Sequence, residues 1–411
     1  MKRLTLLLLG LVLGVSATAR AQGLTMQMSN GWSFQFAGNV NAFWVFTKEN
    51  TNATPGSQTA NSSVRTGLLP AFATFEARGK EAGLNLAVHF GFAPQINNGA
   101  SHDNFGNGTQ AGAQIDMRQV YLTVGSDKWG QILAGRELAL FGRQAILNDM
   151  TLFGVGAVGI GAGQGGGTTL GRIGYGYIYP NFVAQLTYST KGGQPAQLSI
   201  GLFQPSALGL VGGTVTDAVS NAYHFTTIPR VETEFTYNQK SGRNTYLFWA
   251  GGTWQTTKNA ASGGNSASSI GGTAGVRGNL SDLSVVVSAY IGKGLGTTLQ
   301  FSGGEVAGTP AATSTELRTS DGGYVQATYK VAPKTTVGFS WGFSRLKNNN
   351  TAAPNGDGNN AVRSNLYAYT VGIYHQWTKS LKLVFEGTEE GTTNAGRAKQ
   401  TDVSGGFMLF F

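Results

Sequence analysis

Three charged residues at alternate positions are the first candidates for chemistry in this chain of 411 residues: Arg230, Glu232 and Glu234. Alternate side chains of a β-strand point to the same face, so a strand through this segment would place all three charges together. The residues between them are uncharged, which separates a charged face from an uncharged one. Such charges either line the wall of a water-filled space, where they attract or repel ions, or pair with one another.

Signals for enzymatic chemistry are weak along the chain. Gly161, Gly163 and Gly166 spell a G-x-G-x-x-G pattern, but no strand–helix–strand context surrounds them, which favours a glycine-rich loop over a nucleotide site. No G-x-S-x-G sequence marks a hydrolase nucleophile. The four histidines lie far apart in sequence and lack metal-ligand spacing: His89, His102, His224 and His375. We therefore expect no enzyme, no cofactor and no metal site.

An alternation of residue types just after the first thirty residues indicates the kind of element that carries these charges. From Trp32 to Phe46, the even positions are mostly aromatic or apolar, and the odd positions are mostly amide, hydroxyl or small, with Phe43 and Val45 as exceptions. A strand that crosses a bilayer needs this pattern, because it shows apolar groups to lipid and polar groups to a watery lumen. The segment therefore predicts a membrane-spanning β-strand.

The same alternation recurs to the end of the chain and gives about sixteen predicted strands. Short turns alternate with long loops rich in Asn, Gly, Ser and Thr, and an even strand count lets the first and last strands pair antiparallel. The predicted fold class is all-β, a transmembrane antiparallel β-barrel. Leu170–Tyr179 is predicted as the sixth strand and a segment from Phe182 as the seventh, whereas residues 191–225 are predicted to form a long loop.

The first residues predict an export signal. Basic residues precede an apolar run from Leu4 to Val15, and an A-x-A cleavage site ends at Ala21, so we predict a signal peptide at residues 1–21 and a barrel at residues 22–411. The formal charge of +9 falls to +6 in the mature chain, because the signal carries three basic residues and no acidic one. The basic residues are scattered singly, which argues against a nucleic-acid partner. They form either a solvated surface or a lumen that favours anions.

Several segments together resemble the general porin family of Gram-negative bacteria. The chain ends in an alternating strand with Phe411, and Met117–Gly125 followed by Trp129-Gly130 is similar to the family's fourth and fifth strands. Gly171–Tyr175 resembles its sixth strand. An interruption at about residues 137–168 stands where the family folds its third loop into the lumen. The resemblance implies homotrimers in the cell outer membrane, in contact with lipid and lipopolysaccharide, and a C-terminal strand that the barrel-assembly machinery recognises.

The resemblance also implies where pore residues lie. In the family, acidic residues on the inward loop face basic residues on the opposite wall. Arg118 and Arg172 fall on wall-arginine positions, Asp149 falls on an acidic loop position, and Asn39 stands where the family often has a basic residue. The constriction is therefore expected to carry less charge than in the family's best-known members. The alternative for the two arginines is an end-of-strand side chain at the headgroups, and for Asp149 it is a helix cap.

These observations predict an outer-membrane porin for passive diffusion of small hydrophilic solutes and ions, with a mild anion preference. The predicted constriction residues combine the family positions with the inward charges: Arg118, Arg172, Asp149, Asn39, Arg230, Glu232 and Glu234. One alternative is a substrate-selective channel for a sugar, phosphate or organic acid, and another is a barrel enzyme or adhesin. The first, fourth and fifth strands are expected to form the contact between subunits.

Overall fold

The computed structural model of the chain is one antiparallel sheet that closes on itself. The predicted signal peptide and the G-x-G-x-x-G glycines lie outside the described residues. Among the residues that are described, no helix is long and apolar enough to cross a membrane. The described residues are 23–29, 31–50, 58–94, 96, 115–160, 167–208, 226–258, 266–301, 305–306, 316–348, 362–393 and 398–411.

Strands dominate the described part of the chain. They are β1 (Leu24–Gln27), β2 (Ser33–Asn50), β3 (Gln58–Arg65), β4 (Phe72–Glu81), β5 (Leu84–Pro94), β6 (Ile115–Ser126), β7 (Gly130–Leu138), β8 (Phe182–Ser189), β9 (Ala196–Phe203), β10 (Arg230–Ser241), β11 (Asn244–Lys258), β12 (Ser266–Leu280), β13 (Leu283–Lys293), β14 (Thr319–Ala332), β15 (Thr335–Lys347), β16 (Val362–Gln376), β17 (Leu381–Thr392) and β18 (Lys399–Phe410). Between β7 and β8 lie the helix α1 (Arg143–Leu147) and a 3₁₀ helix (Met150–Phe153).

These strand segments occupy sixteen positions around the barrel. β3 and β4 pair with successive parts of β2, so they form one strand that is interrupted at residues 66–71. β1 pairs with the start of β2 on the side where β18 pairs with the rest, so β1 continues the line of β18. The β18–β2 ladder joins the last strand to the first, which removes the exposed edges of an open sheet. The predicted closed barrel of sixteen antiparallel strands is confirmed.

The alternation in β2 matches the two faces of the barrel wall. Val40 and Trp44 are 54% and 50% exposed, whereas Asn39 and Asn41 on the other face are buried. Outward apolar side chains alternate with inward polar ones along the strand, as a wall between lipid and lumen requires.

The two exceptions in β2 have a local cause. Phe43 and Val45 are fully buried, although they lie on the inward, polar face. They belong to an apolar cluster that includes Leu152 and Phe153 from the connection between β7 and β8. An apolar segment covers the inner face at this height, so apolar side chains are stable there.

Two predictions about strands were wrong. One predicted strand does not exist and one existing strand was not predicted, so the predicted number of sixteen strands is unchanged. Leu170–Tyr179 is not a strand but a series of turns, with left-handed backbone at Gly171 and Gly174 (φ 58° and 77°). Its tyrosines pack against inward residues of β14 and β16 and do not face lipid. The sixth and seventh strands are instead β8 and β9, and β9 lies within the predicted loop at residues 191–225.

Candidate functional site

The connection between β7 and β8, residues 139–181, is almost completely buried in its described parts; we call it the inner segment. Its apolar side chains cluster with residues on the buried faces of β2, β14, β17 and β18. The inner segment therefore contacts the face of the wall that lies opposite the lipid-exposed face.

Inward glutamates hold the backbone of the inner segment through paired hydrogen bonds. One carboxylate oxygen of Glu386 accepts from the N–H groups of Val155 and Gly156, each at 2.7 Å. Glu390 lies four residues further along β17. One of its oxygens accepts from the N–H groups of Val158 and Gly159, at 3.1 and 2.9 Å. Bonds from backbone N–H groups to a carboxylate are stronger than neutral ones, so these pairs fix the position of the segment.

A matching anchor lies on β10. Glu232 Oε2 accepts from the N–H groups of Leu140 and Phe141, both at 2.9 Å. Glu234 receives a bidentate contact from Arg143, with Nη2 to Oε1 at 2.6 Å and Nε to Oε2 at 3.2 Å. The predicted inward charges Glu232 and Glu234 thus lie on the buried face, and they bind the inner segment instead of standing free in solvent.

Asp149 lies at the start of the 3₁₀ helix and is 1% exposed. Its side chain accepts from Thr151 N at 2.9 Å and from the Tyr177 hydroxyl at 2.8 Å. Burial raises the pKa of the Asp149 carboxyl, and the positive charge of Arg172 only partly offsets this effect. Asp149 therefore caps the 3₁₀ helix, which was the alternative to a pore-facing position in the sequence analysis.

Arg172 corrects the expectation of a wall arginine, because it belongs to the inner segment and not to a strand. Its side chain is fully buried. It donates from Nε to Ser340 Oγ at 2.9 Å, from Nη2 to Ser340 O at 2.6 Å, and from Nη1 to Ala368 O at 2.6 Å. The guanidinium therefore ties the returning half of the inner segment to β15 and β16.

Arg118 lies in β6 beside a register shift in the β5–β6 ladder. Its Nε pairs with Asp116 Oδ2 at 2.8 Å, and its guanidinium carbon lies 5.7 Å from the centre of the Phe182 ring. Arg118 and Arg172 thus have different environments, one a partly exposed strand end and the other a buried loop.

Asn39 is buried, and its side-chain oxygen accepts from Asn41 Nδ2 at 2.9 Å. Residues 66–71 interrupt the strand between β3 and β4. There the Asn41 side chain accepts a hydrogen bond from Gly67 N and donates one to Leu69 O. That break pairs with the inner segment, with Leu68 N donating to Gly154 O at 2.9 Å. Asn39 therefore supports the inner segment indirectly.

Arg230 is buried between two aromatic rings. Its guanidinium carbon lies 5.6 Å from the centre of Phe203 and 5.4 Å from that of Phe301, and its Nε is 3.2 Å from Glu232 Oε1. Cation–π contacts of this kind stabilise a desolvated guanidinium. Arg230 pairs with its neighbour, which is one of the two roles that the sequence left open.

A second buried stretch follows β13 and was not predicted. Leu295 is fully buried, and residues around Thr298 bond the end of the inner segment: Tyr179 N donates to Thr298 O at 2.8 Å, and Gln300 N donates to Tyr179 O. In sequence this stretch reads as an ordinary loop rich in Gly and Thr, because its partners are distant along the chain.

Partly exposed charges of both signs lie on the inward face, since Glu49 and Glu76 lie there as well and Glu76 pairs with Arg78. Arg78, Arg277 and Lys382 are partly exposed, and each lies in register with inward residues of the neighbouring strand. Lys382 Nζ lies 4.2 Å from the centre of the Phe153 ring, so it borders the inner segment. The inward acids of β10, β17 and β18 are at most 5% exposed: Glu232, Glu234, Glu386, Glu390 and Asp402.

A closed barrel of sixteen antiparallel strands, apolar outside and polar inside, is the architecture of proteins that span the bacterial outer membrane. The sequence agrees, since a model of the Gram-negative porin family matches residues 5–395. The chain belongs to the Gram-negative porin family and is an outer-membrane channel.

Solved structures of low sequence identity share this fold. The outer-membrane channel DcaP of Acinetobacter baumannii aligns with a TM-score of 0.64 at 14% identity, over 94% of this chain and 99% of that one. An anion-selective porin from Comamonas acidovorans aligns with a TM-score of 0.60 at 12% identity, over 92% and 100% of the two chains. Salmonella typhi OmpF, in complex with daunomycin, aligns with a TM-score of 0.56 at 11% identity, over 94% and 100%. No curated protein matches the chain.

Proposed function

We propose that this channel passes small hydrophilic solutes and ions by passive diffusion, with the inner segment as its constriction. The observation that carries the proposal is the pair of anchors on β10 and β17. These strands lie seven positions apart in a barrel of sixteen, so a segment bound to both crosses between nearly opposite walls. A fixed crossing segment selects solutes by size and needs no covalent chemistry, so the proposed function is not enzymatic.

The accessible charge supports a mild preference for anions. The carboxylates that bind the inner segment are buried and accept backbone hydrogen bonds, whereas Arg277, Lys382 and Arg78, the last of which pairs with Glu76, are partly exposed on the inward face. Charged side chains that line a narrow pore select by sign. The chain of Comamonas acidovorans that shares the fold is described as anion-selective, and the same selectivity is proposed here on the basis of these residues.

Single-channel recording in a planar bilayer tests the proposal. Purified protein should give stable conductance in groups of three equal steps, because we propose a homotrimer. The reversal potential under a salt gradient should show a modest excess of anion permeability. A barrel that stays silent contradicts the channel function, and a reversal potential that favours cations contradicts the selectivity. Saturable block of the current by one sugar, phosphate or organic acid would indicate the substrate-selective alternative.

A further inference from the structure

His89 of β5 lies on the inward face of the barrel wall and is 8% exposed. Its register partners are Glu76 of β4 and Tyr121 of β6, so the three side chains form a row across three neighbouring strands. His89 Nδ1 lies 3.1 Å from Glu76 Oε2, and the imidazole stacks on the Tyr121 ring, with 4.8 Å between the ring centres and 11° between the planes. These two contacts fix the orientation of the imidazole.

The contact with Glu76 determines which nitrogen of His89 can take up a proton. An ionised carboxylate only accepts hydrogen bonds, so Nδ1 of the neutral ring carries the hydrogen and donates it to Glu76. Nε2 is then the basic nitrogen, and it is buried without a hydrogen-bond partner among the described residues. Most buried polar atoms have a partner, so this nitrogen calls for an explanation, and binding of a proton supplies one.

Glu76 connects His89 to a second basic side chain. The other carboxylate oxygen of Glu76 pairs with Nε of Arg78, two residues further along β4. While His89 is neutral, this acid and this base cancel, and the phenol of Tyr121 adds no charge near neutral pH. A proton on Nε2 would give Glu76 two cationic partners, so the row would gain one net positive charge.

The next acid along this wall is Glu137 of β7, which is buried. It accepts from Gln119 Nε2 at 2.7 Å and from Leu138 N at 2.9 Å. Arg143 of α1, which already pairs with Glu234, is a further cation near Glu137. A positive charge on β5 would therefore have a carboxylate on either side of it, one on β4 and one on β7.

The wall that carries this row borders the accessible part of the lumen. Glu76, Arg78 and Tyr121 are partly exposed on the inward face. The apolar clusters that contain the inner segment include no described residue of β4, β5 or β6. The inner segment therefore packs on the remaining part of the wall, and under the proposed function the ions that pass it move along β4, β5 and β6.

We infer that His89 is a specificity-determining residue of the channel, and that a proton on its Nε2 strengthens the preference for anions. A histidine side chain ordinarily changes its charge between about pH 5 and pH 8, where solvated carboxylates and lysines keep theirs. The ratio of anion to cation permeability should therefore rise as the pH falls through this range. The inference rests on the proposed function, because it needs an ion path along the inward wall.

Reversal potentials of the full-length channel under a salt gradient, recorded at about pH 8 and about pH 5, test the role of His89. The rise in the permeability ratio should be about two- to fivefold smaller in His89→Gln than in the native channel, since a unit charge several ångströms from the path acts on anions and cations with opposite sign. His375→Gln is the matched control, because His375 shares the outward face of β16 with the exposed Ile373. His102 and His224 are unchanged in both variants, so the difference between the variants belongs to His89.

A second variant carries the charge permanently. His89→Lys should give, at the higher pH, a permeability ratio close to that of the native channel at the lower pH, and the ratio should rise less on acidification than in His375→Gln. Equal rises in His89→Gln and His375→Gln overturn the inference and leave the proposed channel intact, and so does a ratio that falls as the pH falls. A native barrel that stays silent contradicts the proposed function instead.

Discussion

The hydrogen bonds of Arg172 define its role in the structure. Three donors of its guanidinium are used by Ser340 and by the carbonyl oxygen of Ala368, and no part of the side chain is exposed. A planar guanidinium can satisfy acceptors on two strands at once, because its donors form a rigid fork. At this position the arginine holds two strands and a loop together.

We expect Arg172→Lys to lower the unfolding temperature of the detergent-solubilised barrel. Lysine cannot reach all three acceptors, and each buried acceptor left unpaired costs about 1–3 kcal/mol. Arg118→Lys is the matched control, since Arg118 is partly exposed and pairs with the half-exposed Asp116. If both variants unfold at the same temperature, the structural role assigned to Arg172 is wrong.

The partly exposed basic residues lead to a prediction about selectivity. Replacing Arg78 and Lys382 with Gln should lower the ratio of anion to cation permeability. A unit charge at 4 Å changes the energy of an ion by about 1 kcal/mol even at the dielectric constant of water, so we expect a change of several-fold. Lys48→Gln removes the same charge from the lipid-facing side and should leave the reversal potential unchanged. A reversal potential that is the same in all variants would exclude these side chains from the ion path.

The inner segment is the element on which the proposed constriction depends, and its beginning and its middle are held by different strands. Glu232 binds its first residues, and Glu386 and Glu390 bind its middle. Each carboxylate accepts two successive N–H groups, which restrains backbone position more tightly than a single bond. The segment should therefore be rigid in recordings of the native channel.

Glu386→Gln should make the open-channel current noisier. The amide retains the shape of the side chain but loses the negative charge that strengthens its bonds to Val155 and Gly156. Glu389→Gln, on the outward face of the same strand, is the control. Current fluctuations at fixed voltage measure the effect. Equal noise in the two variants would show that the carboxylate does not restrain the inner segment.

The sequence predicts the strands of this barrel better than its interior. Period-two alternation in β2 identified both faces, because lipid outside and polar groups inside impose opposite demands on neighbouring residues. The same alternation led to a wrong prediction at Leu170–Tyr179. This segment is not a strand, and its tyrosines are buried against inward residues of the barrel wall. β9 carries a clear alternation at Leu198, Ile200 and Leu202, although it lies within the segment predicted as a long loop.

The partners of the inner segment could be predicted only in part. Parity from Phe385 places Glu386 and Glu390 on the inward face, so the sequence contains the signal for a charged wall. Which loop residues bind them depends on strands more than 200 positions away in the chain, as for Glu386 and Val155. Single-sequence periodicity carries no information on such distant pairs, so Arg172 was assigned to the wrong element.

At the scale of the whole molecule, the barrel exists only because its last strand returns to its first. Phe410 lies in register with Asn39, and Phe411 exchanges two backbone hydrogen bonds with Gly38, each at 3.0 Å. The ring of Phe411 lies 5.1 Å from that of Phe36, and its tip lies close to Gly38, where the backbone oxygen of Phe72 leaves room only for a glycine. Phe411 therefore packs on the first strand at the point where the last strand pairs with it.

We expect Phe411→Ala to lower the yield of folded barrel when the purified chain refolds in detergent micelles, without any assembly machinery. Loss of the ring removes its packing on Phe36 and beside Gly38. Because Phe411 is 36% exposed, the cost should stay below the roughly 3–5 kcal/mol of truncating a fully buried aromatic. Phe407→Ala is the matched control, because Phe407 lies on the same strand and is 55% exposed to lipid. The folded fraction is measured from the mobility difference between heated and unheated samples on a gel. A selective loss in Phe411→Ala assigns the ring a direct part in closing the barrel, whereas equal folded fractions for both variants would exclude that role.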